Sequence, residues 1–162
     1  MKCLVFSDSH GESFYFKKAL SLHPDAEVVF FLGDGLSDAD IIAENEKGRM
    51  WIAVRGNCDF RNFFLGREVE KSEEIEILGR KIALTHGDLY GVKGGTAGIE
   101  AFAEAGKADI VLFGHTHAPM NQYISSERPF YLFNPGSLHD YPHSYGILTL
   151  TDNSVLFSHG RF

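Results

Sequence analysis

The chain has 162 residues, of which 44% are hydrophobic and 23% charged, proportions that are ordinary for a globular protein with one sizeable core. Its formal net charge of −7 argues against general nucleic-acid binding, but not against phosphate chemistry, because metal ions can supply local positive charge. No apolar run approaches the roughly 18 residues that span a bilayer, and Cys3 to Phe6 is too short for a signal-peptide core. We therefore expect a cytoplasmic protein without membrane contact. The two cysteines, Cys3 and Cys58, do not form a secreted disulfide framework.

The first third of the chain combines strand and helix patterns. Two continuous apolar runs, Lys2–Phe6 and Glu27–Leu32, predict strands that are covered on both faces, and Met50–Val54 is predicted as a third strand. Residues Glu12 to His23 have apolar side chains at helical spacing, which predicts a helix that ends before Pro24. A second helix is predicted to begin with Ser37 or Asp38 as its cap and to run to about residue 46.

Strands dominate the remainder of the chain. Six more are predicted, at Glu74–Leu78, Lys81–Thr85, Asp109–Phe113, Phe130–Phe133, Tyr145–Leu150 and Val155–His159. The first two form a hairpin that turns at Gly79 and Arg80. A helix between Gly94 and its stop at Gly106 has three residues facing the core: Ile99, Phe102 and Ala103. An early βαβ half followed by hairpins predicts a mixed α/β (α+β) fold of two packed sheets, and the absence of a linker predicts one domain, 1–162.

Five of the predicted strands end in a short cluster that combines glycine with Asp, His or Asn. The clusters are Ser7–His10, Gly33–Gly35, Gly56–Asp59, Thr85–Asp88 and Gly114–His117. In open α/β sheets the ligand crevice lies beyond the carboxyl ends of the strands. We therefore expect these clusters to converge in one place.

The clusters supply seven side chains of the kinds that bind metals: Asp8, His10, Asp34, Asn57, His86, His115 and His117. This mixture of oxygen and nitrogen ligands without a thiolate suits Mn, Fe, Ni or Zn rather than Ca or a zinc finger. Seven ligands are too many for one ion with an open position, but suit two ions that share a carboxylate. Two metals about 3.5–4 Å apart are a standard arrangement for attacking a phosphate ester. Taken singly, each motif is also compatible with a turn or a surface histidine; together they favour a metal site.

The order D-x-H, G-D, G-N-x-D, H-G and G-H-x-H resembles the signature of the calcineurin-like metallophosphoesterases. It is found here at Asp8–His10, Gly33–Asp34, Gly56–Asp59, His86–Gly87 and Gly114–His117. The short length, the G-N-C-D form of the third motif and the turn Asn134–Ser137 resemble the small YfcE-type phosphodiesterases in particular. The resemblance extends from residue 2 to about 158. It implies a four-layer αββα sandwich, with two mixed β-sheets flanked by helices.

The resemblance also implies roles for individual residues. One metal would be held by Asp8, His10 and His117, the other by Asn57, His86 and His115, with Asp34 as the bridge. The implied cofactors are two divalent transition-metal ions, manganese first, with iron, nickel or zinc as alternatives. A hydroxide between the ions is the implied nucleophile for a small phosphodiester substrate, and the expected catalytic residues are Asn57, His86 and His115.

The sequence departs from the family pattern at several positions. Cys58 occupies a position where many members have a His that acts as general acid, and its role stays open between a proton donor and a partly buried thiol. Asp59 and Asp88 are expected to orient neighbouring groups rather than to bind metal. His139 and His143 follow the turn where relatives often have Arg, and whether either contacts substrate also stays open.

Two other functions are compatible with this fold. One is a non-catalytic protein-interaction scaffold like a retromer subunit, which the complete set of ligand positions argues against. The other is a fold whose ions are purely structural, which is disfavoured because structural zinc sites are usually closed sets of four ligands containing Cys. The phosphate loop G-x-x-x-x-G-K-S/T is absent, so an ATPase or kinase has no support. Natural substrate, metal identity and a homo-oligomeric state stay open.

Overall fold

The computed structural model describes residues 1–162 and contains two five-stranded sheets, a two-stranded hairpin and three α-helices. The strands are β1 (Lys2–Phe6), β2 (Val28–Phe31), β3 (Met50–Ala53), β4 (Phe63–Phe64), β5 (Arg67–Glu68), β6 (Ser72–Ile77), β7 (Arg80–Thr85), β8 (Ile110–Leu112), β9 (Met120–Ile124), β10 (Phe130–Asn134), β11 (Ser144–Leu150) and β12 (Val155–Arg161). The helices are α1 (Ser13–Leu22), α2 (Leu36–Ala43) and α3 (Ala97–Gly106), with a short 3-10 helix at Asp88–Tyr90. No helix combines the length and apolar character that crossing a bilayer requires.

Each large sheet contains three adjacent parallel strands. The first sheet has the order β12-β11-β1-β2-β3, in which β1, β2 and β3 are parallel and β11 and β12 are antiparallel additions. The second has the order β6-β7-β8-β10-β9, in which β7, β8 and β10 are parallel and the outer strands are antiparallel. The carboxyl ends of each parallel trio therefore lie at one edge of the sheet, where the five predicted clusters begin.

The two sheets pack face to face, with helices on the outer sides. Successive residues of a strand point to opposite faces, so Val5 of β1 enters the core between the sheets and Phe6 packs on the side of α1 and α2. Across that core, Leu84 of β7 points inward and Ala83 packs on the side of α3. This four-layer αββα arrangement confirms the predicted fold class. The division of the chain into one domain stays a prediction.

The hairpin between β6 and β7 turns one residue earlier than predicted. Ile77 and Arg80 are paired across the two strands, so the two-residue loop is Leu78-Gly79 and Arg80 already belongs to β7. Both loop residues have positive φ, 49° and 68°, as the tightest hairpin turns require. Gly79 adopts positive φ without steric cost, because it has no Cβ. Leu78 is held at positive φ by the pairing of the two strands that it joins.

The prediction that Ser37 or Asp38 caps α2 was wrong, because a residue of another loop accepts the first N–H groups of the helix. The helix begins at Leu36 after Gly35, so Ser37 and Asp38 lie inside its first turn, and no side chain of the helix's own caps it. Instead, the carboxylate of Asp59 accepts the backbone N–H groups of Gly35 and Leu36 at 2.9 and 2.8 Å. A cap supplied from another strand end cannot be found by local sequence patterns.

Three further features differ from the sequence-based expectation. The edge strand β9 and the short pair β4–β5 were not predicted: Asn121 and Gln122 interrupt the apolar residues of β9, and β4 and β5 have two residues each. The helix α3 includes Gly106, and the left-handed residue that ends it is Lys107, with φ of 53°. Phe102 is only partly buried, because it stacks on Tyr90 of the 3-10 helix rather than entering the core.

Candidate metal centre

The loops that follow β1, β2, β3, β7 and β8 meet at one edge of the sandwich. Within the first sheet, the Asp8 N–H donates to the Gly33 carbonyl at 3.0 Å, and within the second the Gly114 N–H donates to the His86 carbonyl at 3.0 Å. The two sheets are linked here by Asp8, whose Oδ2 accepts the backbone N–H of His115 at 3.1 Å. Loops far apart in sequence are thus brought together, as expected for the carboxyl ends of parallel strands.

One group of ligand-type atoms consists of Asp8, His10 and His117. Their ligand atoms all lie within 4.8 Å of one another. Asp8 Oδ1 is 3.1 Å from His117 Nε2 and 3.9 Å from His10 Nε2. Three donors at this separation can bind one ion, because two ligands on one zinc or similar ion are at most about 4.4 Å apart.

A second group consists of Asp34, His86 and His115, again within 4.8 Å. Asp34 Oδ2 is 3.3 Å from His86 Nε2, and His86 Nε2 is 3.1 Å from His115 Nδ1. The groups are contiguous, because Asp34 Oδ2 is also 3.9 Å from His10 Nε2 of the first group. Asp34 thus lies between the two sets of donors, the place that a bridging carboxylate occupies.

The buried oxygen Oδ1 of Asp8 tests whether a metal fits this centre. Asp8 is 0% exposed, and Oδ1 has no hydrogen-bond partner of acceptable geometry. Leaving a buried charged oxygen without a donor costs on the order of 1–3 kcal/mol or more. The donors nearest to it are imidazole nitrogens, which are themselves metal ligands. A divalent cation would satisfy this oxygen, so the residues present fit the metal that the family implies.

Backbone strain is concentrated at the same residues. Eight non-glycine residues have positive φ, and five of them are predicted ligands: Asp8, His10, Asp34, His115 and His117. Each such conformation costs roughly 1–2 kcal/mol for an ordinary side chain. Strain of this kind persists where the surrounding structure enforces it and marks functional sites. Here it directs the side chains at the turns toward one common point.

Two glycines of the motifs are explained by close approach. A Cβ at Gly56 would lie 2.1 Å from Asp34 Oδ1, and one at Gly114 would lie 1.9 Å from the Ser7 hydroxyl oxygen. Real Cβ atoms do not approach so closely. The glycine before Asn57 and the one before His115 therefore allow the loops to come within reach of the two Asp carboxylates.

Two of the imidazoles are oriented by acceptors behind them. His86 is fully buried, and its Nδ1 lies 2.8 Å from the Leu32 carbonyl, which directs Nε2 into the centre. Asp140 contacts Nδ1 of His117 in the same way, leaving Nε2 toward Asp8. A carboxylate behind a metal-binding histidine holds the ring and raises its basicity. Asp140 was not found from the sequence, because it belongs to no motif and lies 23 positions from its partner.

Asp59 holds the loops that carry Asp34 and Gly56. Its carboxylate accepts four backbone N–H groups at 2.8–2.9 Å, those of Asp34, Gly35, Leu36 and Gly56. Asp38 connects α2 to the loop after β1, because its Oδ2 accepts hydrogen bonds from the Ser9 hydroxyl at 2.7 Å and the Gly11 N–H at 2.8 Å. The four N–H groups occupy both oxygens of Asp59, two on each, so this carboxylate has no free position for a metal. The orienting role expected for Asp59 therefore has a geometric basis.

The turn Asn134–Ser137 joins the ligand loops of both sheets. The Asn134 amide donates to the Gly114 carbonyl at 2.8 Å and to the Thr116 hydroxyl at 3.1 Å, which holds the loop of His115 and His117. The Ser137 hydroxyl donates to the Asp8 carbonyl at 3.0 Å. The residues that suggested the YfcE-type branch thus support the ligand loops from behind.

The remaining predicted residues lie at the periphery. Asn57 is exposed, and its amide nitrogen is 3.2 Å from Cys58 Sγ, so its role as a ligand stays a prediction. Asp88 forms an ion pair with Lys71 at 2.8 Å. The ring of His139 lies edge-on to that of His10, with centroids 5.7 Å apart. The ring of His143 is instead stacked on Tyr15 at 3.8 Å, and its Nδ1 lies 2.8 Å from the Leu138 carbonyl.

Without metal ions, protons balance the charge of the centre. Contact with the Asp8 carboxylate raises the pKa of His117 to about 9, against the effect of burial and with help from Asp140. Burial alone would lower the pKa of His86, but the carboxylates of Asp34 and Asp8 outweigh it and raise that pKa. For Asp34, burial is likewise outweighed, chiefly by His86, so its pKa lies well below the usual range. Burial, then His86, lowers the pKa of His115. The neighbouring carboxylates thus favour the charged forms of His117 and His86.

This charge balance leads to a pH-dependent prediction. The pKa of His117 is raised from about 6.5 to about 9, so its stabilising charge is fully present below pH 6.5 and lost as the pH rises through 9. We expect the metal-free protein to become less stable to urea between pH 7 and 9, and Zn²⁺ to bind more tightly because fewer protons compete. Calorimetry at pH 7.5 in buffers of different ionisation enthalpy should show proton release on binding. A His117→Gln variant should release fewer protons; equal release would contradict the assignment.

A second prediction concerns Asp140. The Asp140→Asn variant keeps an acceptor of the same size behind His117 but removes the charge that raises the basicity of the ring. We expect metal affinity to fall by roughly tenfold or more, since loss of such partners typically costs 10–100-fold. Affinity would be measured by competition with a chromogenic chelator, with Asp152→Asn in an exposed turn as the matched control. Unchanged affinity in Asp140→Asn would exclude this role.

Comparison with known proteins identifies the family. The sequence model of the family described as "Calcineurin-like phosphoesterase superfamily domain" matches residues 1–153. The chain is 31% identical over 160 residues to the probable metallophosphoesterase YsnB of Bacillus subtilis strain 168, covering 96% of this chain and 88% of that protein. It is 29% identical over 178 residues to phosphodiesterase YfcE of Escherichia coli K12, covering 96% and 90%.

Solved structures show the same fold. An archaeal phosphodiesterase has a TM-score of 0.78 at 22% identity, with all of both chains covered. Wild-type Vps29 of Entamoeba histolytica, solved in complex with zinc, has a TM-score of 0.74 at 23% identity, with 99% of both chains covered. The family match extends over the strand-end motifs that carried the resemblance in the sequence, and its YfcE-type relatives confirm that resemblance. The chain is a member of the calcineurin-like phosphoesterase superfamily.

Proposed function

We propose that the protein is a phosphodiesterase that uses two divalent metal ions. The observation that carries the proposal is that the two donor groups, Asp8–His10–His117 and Asp34–His86–His115, lie side by side with Asp34 between them. The Oδ1 atom of Asp8, which has no hydrogen-bond partner, belongs to the first group. A single ion would leave one of these groups unused. Among the metals that accept such nitrogen and oxygen ligands, we favour manganese, with iron, nickel and zinc as alternatives.

Different residues of the chain would bind each of the two ions. Asp8, His10 and His117 would hold one ion and Asn57, His86 and His115 the other, with Asp34 between them. When bound, the two ions would supply a hydroxide nucleophile at neutral pH and neutralise charge on the phosphoryl oxygens. The chain itself fixes the donors through the carbonyl of Leu32 and the carboxylates of Asp59 and Asp140. The catalytic assignment of Asn57, His86 and His115 rests on this arrangement.

A small diester substrate fits the surroundings of the centre. A cavity of about 300 Å³ opens beside His10, Asp34 and Cys58, and its rim includes the exposed Phe60 and Arg61. Two divalent ions would bring a charge of about +4 against −2 from the two carboxylates, which attracts a phosphodiester locally although the protein is acidic. We propose a cytoplasmic enzyme acting on small phosphodiesters, without membrane or general nucleic-acid binding; formation of a homo-oligomer is compatible with this role.

The proposal is tested by metal reconstitution. Protein treated with a chelator should not hydrolyse a bis-aryl phosphodiester, and addition of Mn²⁺ should restore hydrolysis. Metal analysis should approach two ions per chain, and electron paramagnetic resonance should show two magnetically coupled Mn²⁺ ions. Hydrolysis that survives chelation, or one isolated Mn²⁺ at saturation, would contradict the dinuclear phosphodiesterase.

The second candidate is a protein-interaction scaffold of the same fold. The likeness to Vps29 supports it, and so does Cys58, which replaces the His that many members use as general acid. Against it, all seven predicted ligand positions are filled, and the side chains of six of them converge: Asp8, His10, Asp34, His86, His115 and His117. A protein that binds two ions but turns over no member of a panel of phosphodiesters would favour the scaffold.

The nature of the leaving group provides a further prediction. General-acid catalysis typically contributes 10²–10⁴-fold and matters most for strongly basic leaving groups. Cys58 is a weak hydrogen-bond donor, and Asp34 raises the pKa of its thiol, so it donates a proton poorly. We expect aryl diesters to be cleaved well and alkyl monoesters slowly. In Mn²⁺, Cys58→His should raise alkyl monoester turnover at least about tenfold more than aryl diester turnover.

The control for this prediction is Cys58→Ala. Its aryl diester turnover should stay close to that of the wild type, because an aryl oxide leaves without a proton donor. Rates would be compared for all three proteins over leaving groups of graded pKa. A steep loss of aryl diester turnover in Cys58→Ala, with metals still bound, would show that the thiol takes part in the reaction.

A further inference from the structure

A third donor group lies at the same centre and contains a thiol. His10 Nε2 or Nδ1, a carboxylate oxygen of Asp34 and Cys58 Sγ all lie within 4.8 Å of one another. A zinc ion binds sulfur at about 2.3 Å and imidazole nitrogen at about 2.0–2.1 Å, so donors on one ion are separated by at most about 4.4 Å. The three atoms therefore need only a small adjustment to share an ion.

The position of Cys58 is enforced by the backbone. Its N–H donates to Asp34 Oδ1 at 2.7 Å, which places the residue directly against the carboxylate of this group. Asp59 fixes the same loop from the other side, because one of its oxygens accepts the N–H groups of both Asp34 and Gly56 at 2.8 Å. These hydrogen bonds fix the backbone of Cys58 beside Asp34, and its side chain places the sulfur within 4.8 Å of the donor atoms of His10 and Asp34.

The immediate surroundings suit a metal-bound sulfur. The Asn57 amide nitrogen is 3.2 Å from Cys58 Sγ and can donate an N–H to it. Hydrogen bonds to a ligand sulfur adjust its donor strength. Cys58 is exposed, so ions reach it directly, whereas the other cysteine, Cys3, is buried in the core between the sheets and cannot compete.

We infer that Cys58 is a further ligand of this centre and makes it selective for thiophilic ions. With Zn²⁺ or Co²⁺, the ion held by Asp8, His10 and His117 next to Asp34 would also bind the Cys58 thiolate, whose proton is released to solvent. Hard Mn²⁺ has little affinity for sulfur and would leave the thiol free. The inference rests on the proposed metal centre. It adds a selectivity for Zn²⁺ and Co²⁺ over Mn²⁺ that oxygen and nitrogen donors alone would not provide.

Spectroscopy with Co²⁺ tests the ligand directly, without relying on activity. Chelator-treated wild-type and Cys58→Ser protein would be titrated with Co²⁺. Both should develop the weak visible bands of Co²⁺ bound to nitrogen and oxygen, but only the wild type should show the intense near-ultraviolet band of sulfur-to-cobalt charge transfer. Cys3 is present in both proteins and therefore does not contribute to the difference.

Competition between ions provides the second measurement. The ratio of Zn²⁺ to Mn²⁺ affinity should fall at least about tenfold in Cys58→Ser, equivalent to about 1.4 kcal/mol, while Mn²⁺ affinity stays within about twofold. Visible bands without the charge-transfer band in the wild type, or an unchanged ratio, would overturn the inference and leave the proposed function intact. Failure of the wild-type protein to bind both Co²⁺ and Mn²⁺ would overturn the inference and the proposed function together.

Discussion

An Asp34→Asn variant should lose nearly all phosphodiesterase activity while keeping its fold. Asn retains the oxygen that accepts the Cys58 N–H, and it tolerates the left-handed conformation of residue 34, where φ is 57°. It loses Oδ2, the oxygen next to His86 and His10, because an amide nitrogen does not bind a metal ion. We expect turnover of a bis-aryl phosphodiester in Mn²⁺ to fall by about 10³-fold, since in the proposed centre the two ions would supply the nucleophile and neutralise the developing charge.

The measurements that make this result interpretable are metal content and stability. Asp34→Asn should bind at most one ion per chain, and its circular dichroism should match that of the wild type. Asp152→Asn, the same chemical change in an exposed turn, should retain full activity and both ions. Activity within about tenfold of the wild type in Asp34→Asn would exclude Asp34 as the bridge between the two ions.

Much of the fold could be predicted because the buried strands are locally unambiguous. Lys2–Phe6 and residues 109–113 are continuous apolar runs, and the structure buries β1 and β8 between other layers. The strand β9 gave no such signal, because it lies at a sheet edge and Asn121 and Gln122 interrupt its apolar residues. The cap of α2 could not be predicted either, because Asp59 reaches it from the end of another strand. The periodicity of apolar residues indicates which residues are buried, but it does not predict contacts that form only when the sheets assemble.

The candidate site shows the same division. Side chains that follow strands could be grouped from the sequence, because parallel strands bring their carboxyl ends together. The partners that hold those side chains could not: Asp140 behind His117 and the Leu32 carbonyl behind His86 have no motif of their own. The third donor group has no sequence signal either, because Cys58 and Asp34 are 24 positions apart and follow different strands. Which residues lie next to a ligand depends on the distances between loops in the folded protein, and the spacing of residues in the sequence does not give those distances.

The largest expected effect on stability comes from Asp59→Ala. The variant would remove the acceptor of four backbone N–H groups, two of which begin α2 and two of which hold the loops of Asp34 and Gly56 together. Hydrogen bonds to a charged group contribute about 1.5–3 kcal/mol each, although water can replace part of this at a half-exposed site. We expect the free energy of unfolding to fall by about 3 kcal/mol.

The matched control is Asp40→Ala, which removes a carboxylate that accepts a single exposed backbone N–H, that of Leu65 at 2.7 Å. It should lose about 1 kcal/mol or less. Urea unfolding would be measured after chelation, because bound ions would add their own stabilisation. In the metal-loaded proteins, Asp59→Ala should also bind Mn²⁺ more weakly than Asp40→Ala, since the backbone that places Asp34 is no longer held. Equal loss of stability in the two variants would mean that the four hydrogen bonds of Asp59 are readily replaced by water and do not hold the ligand loops in place.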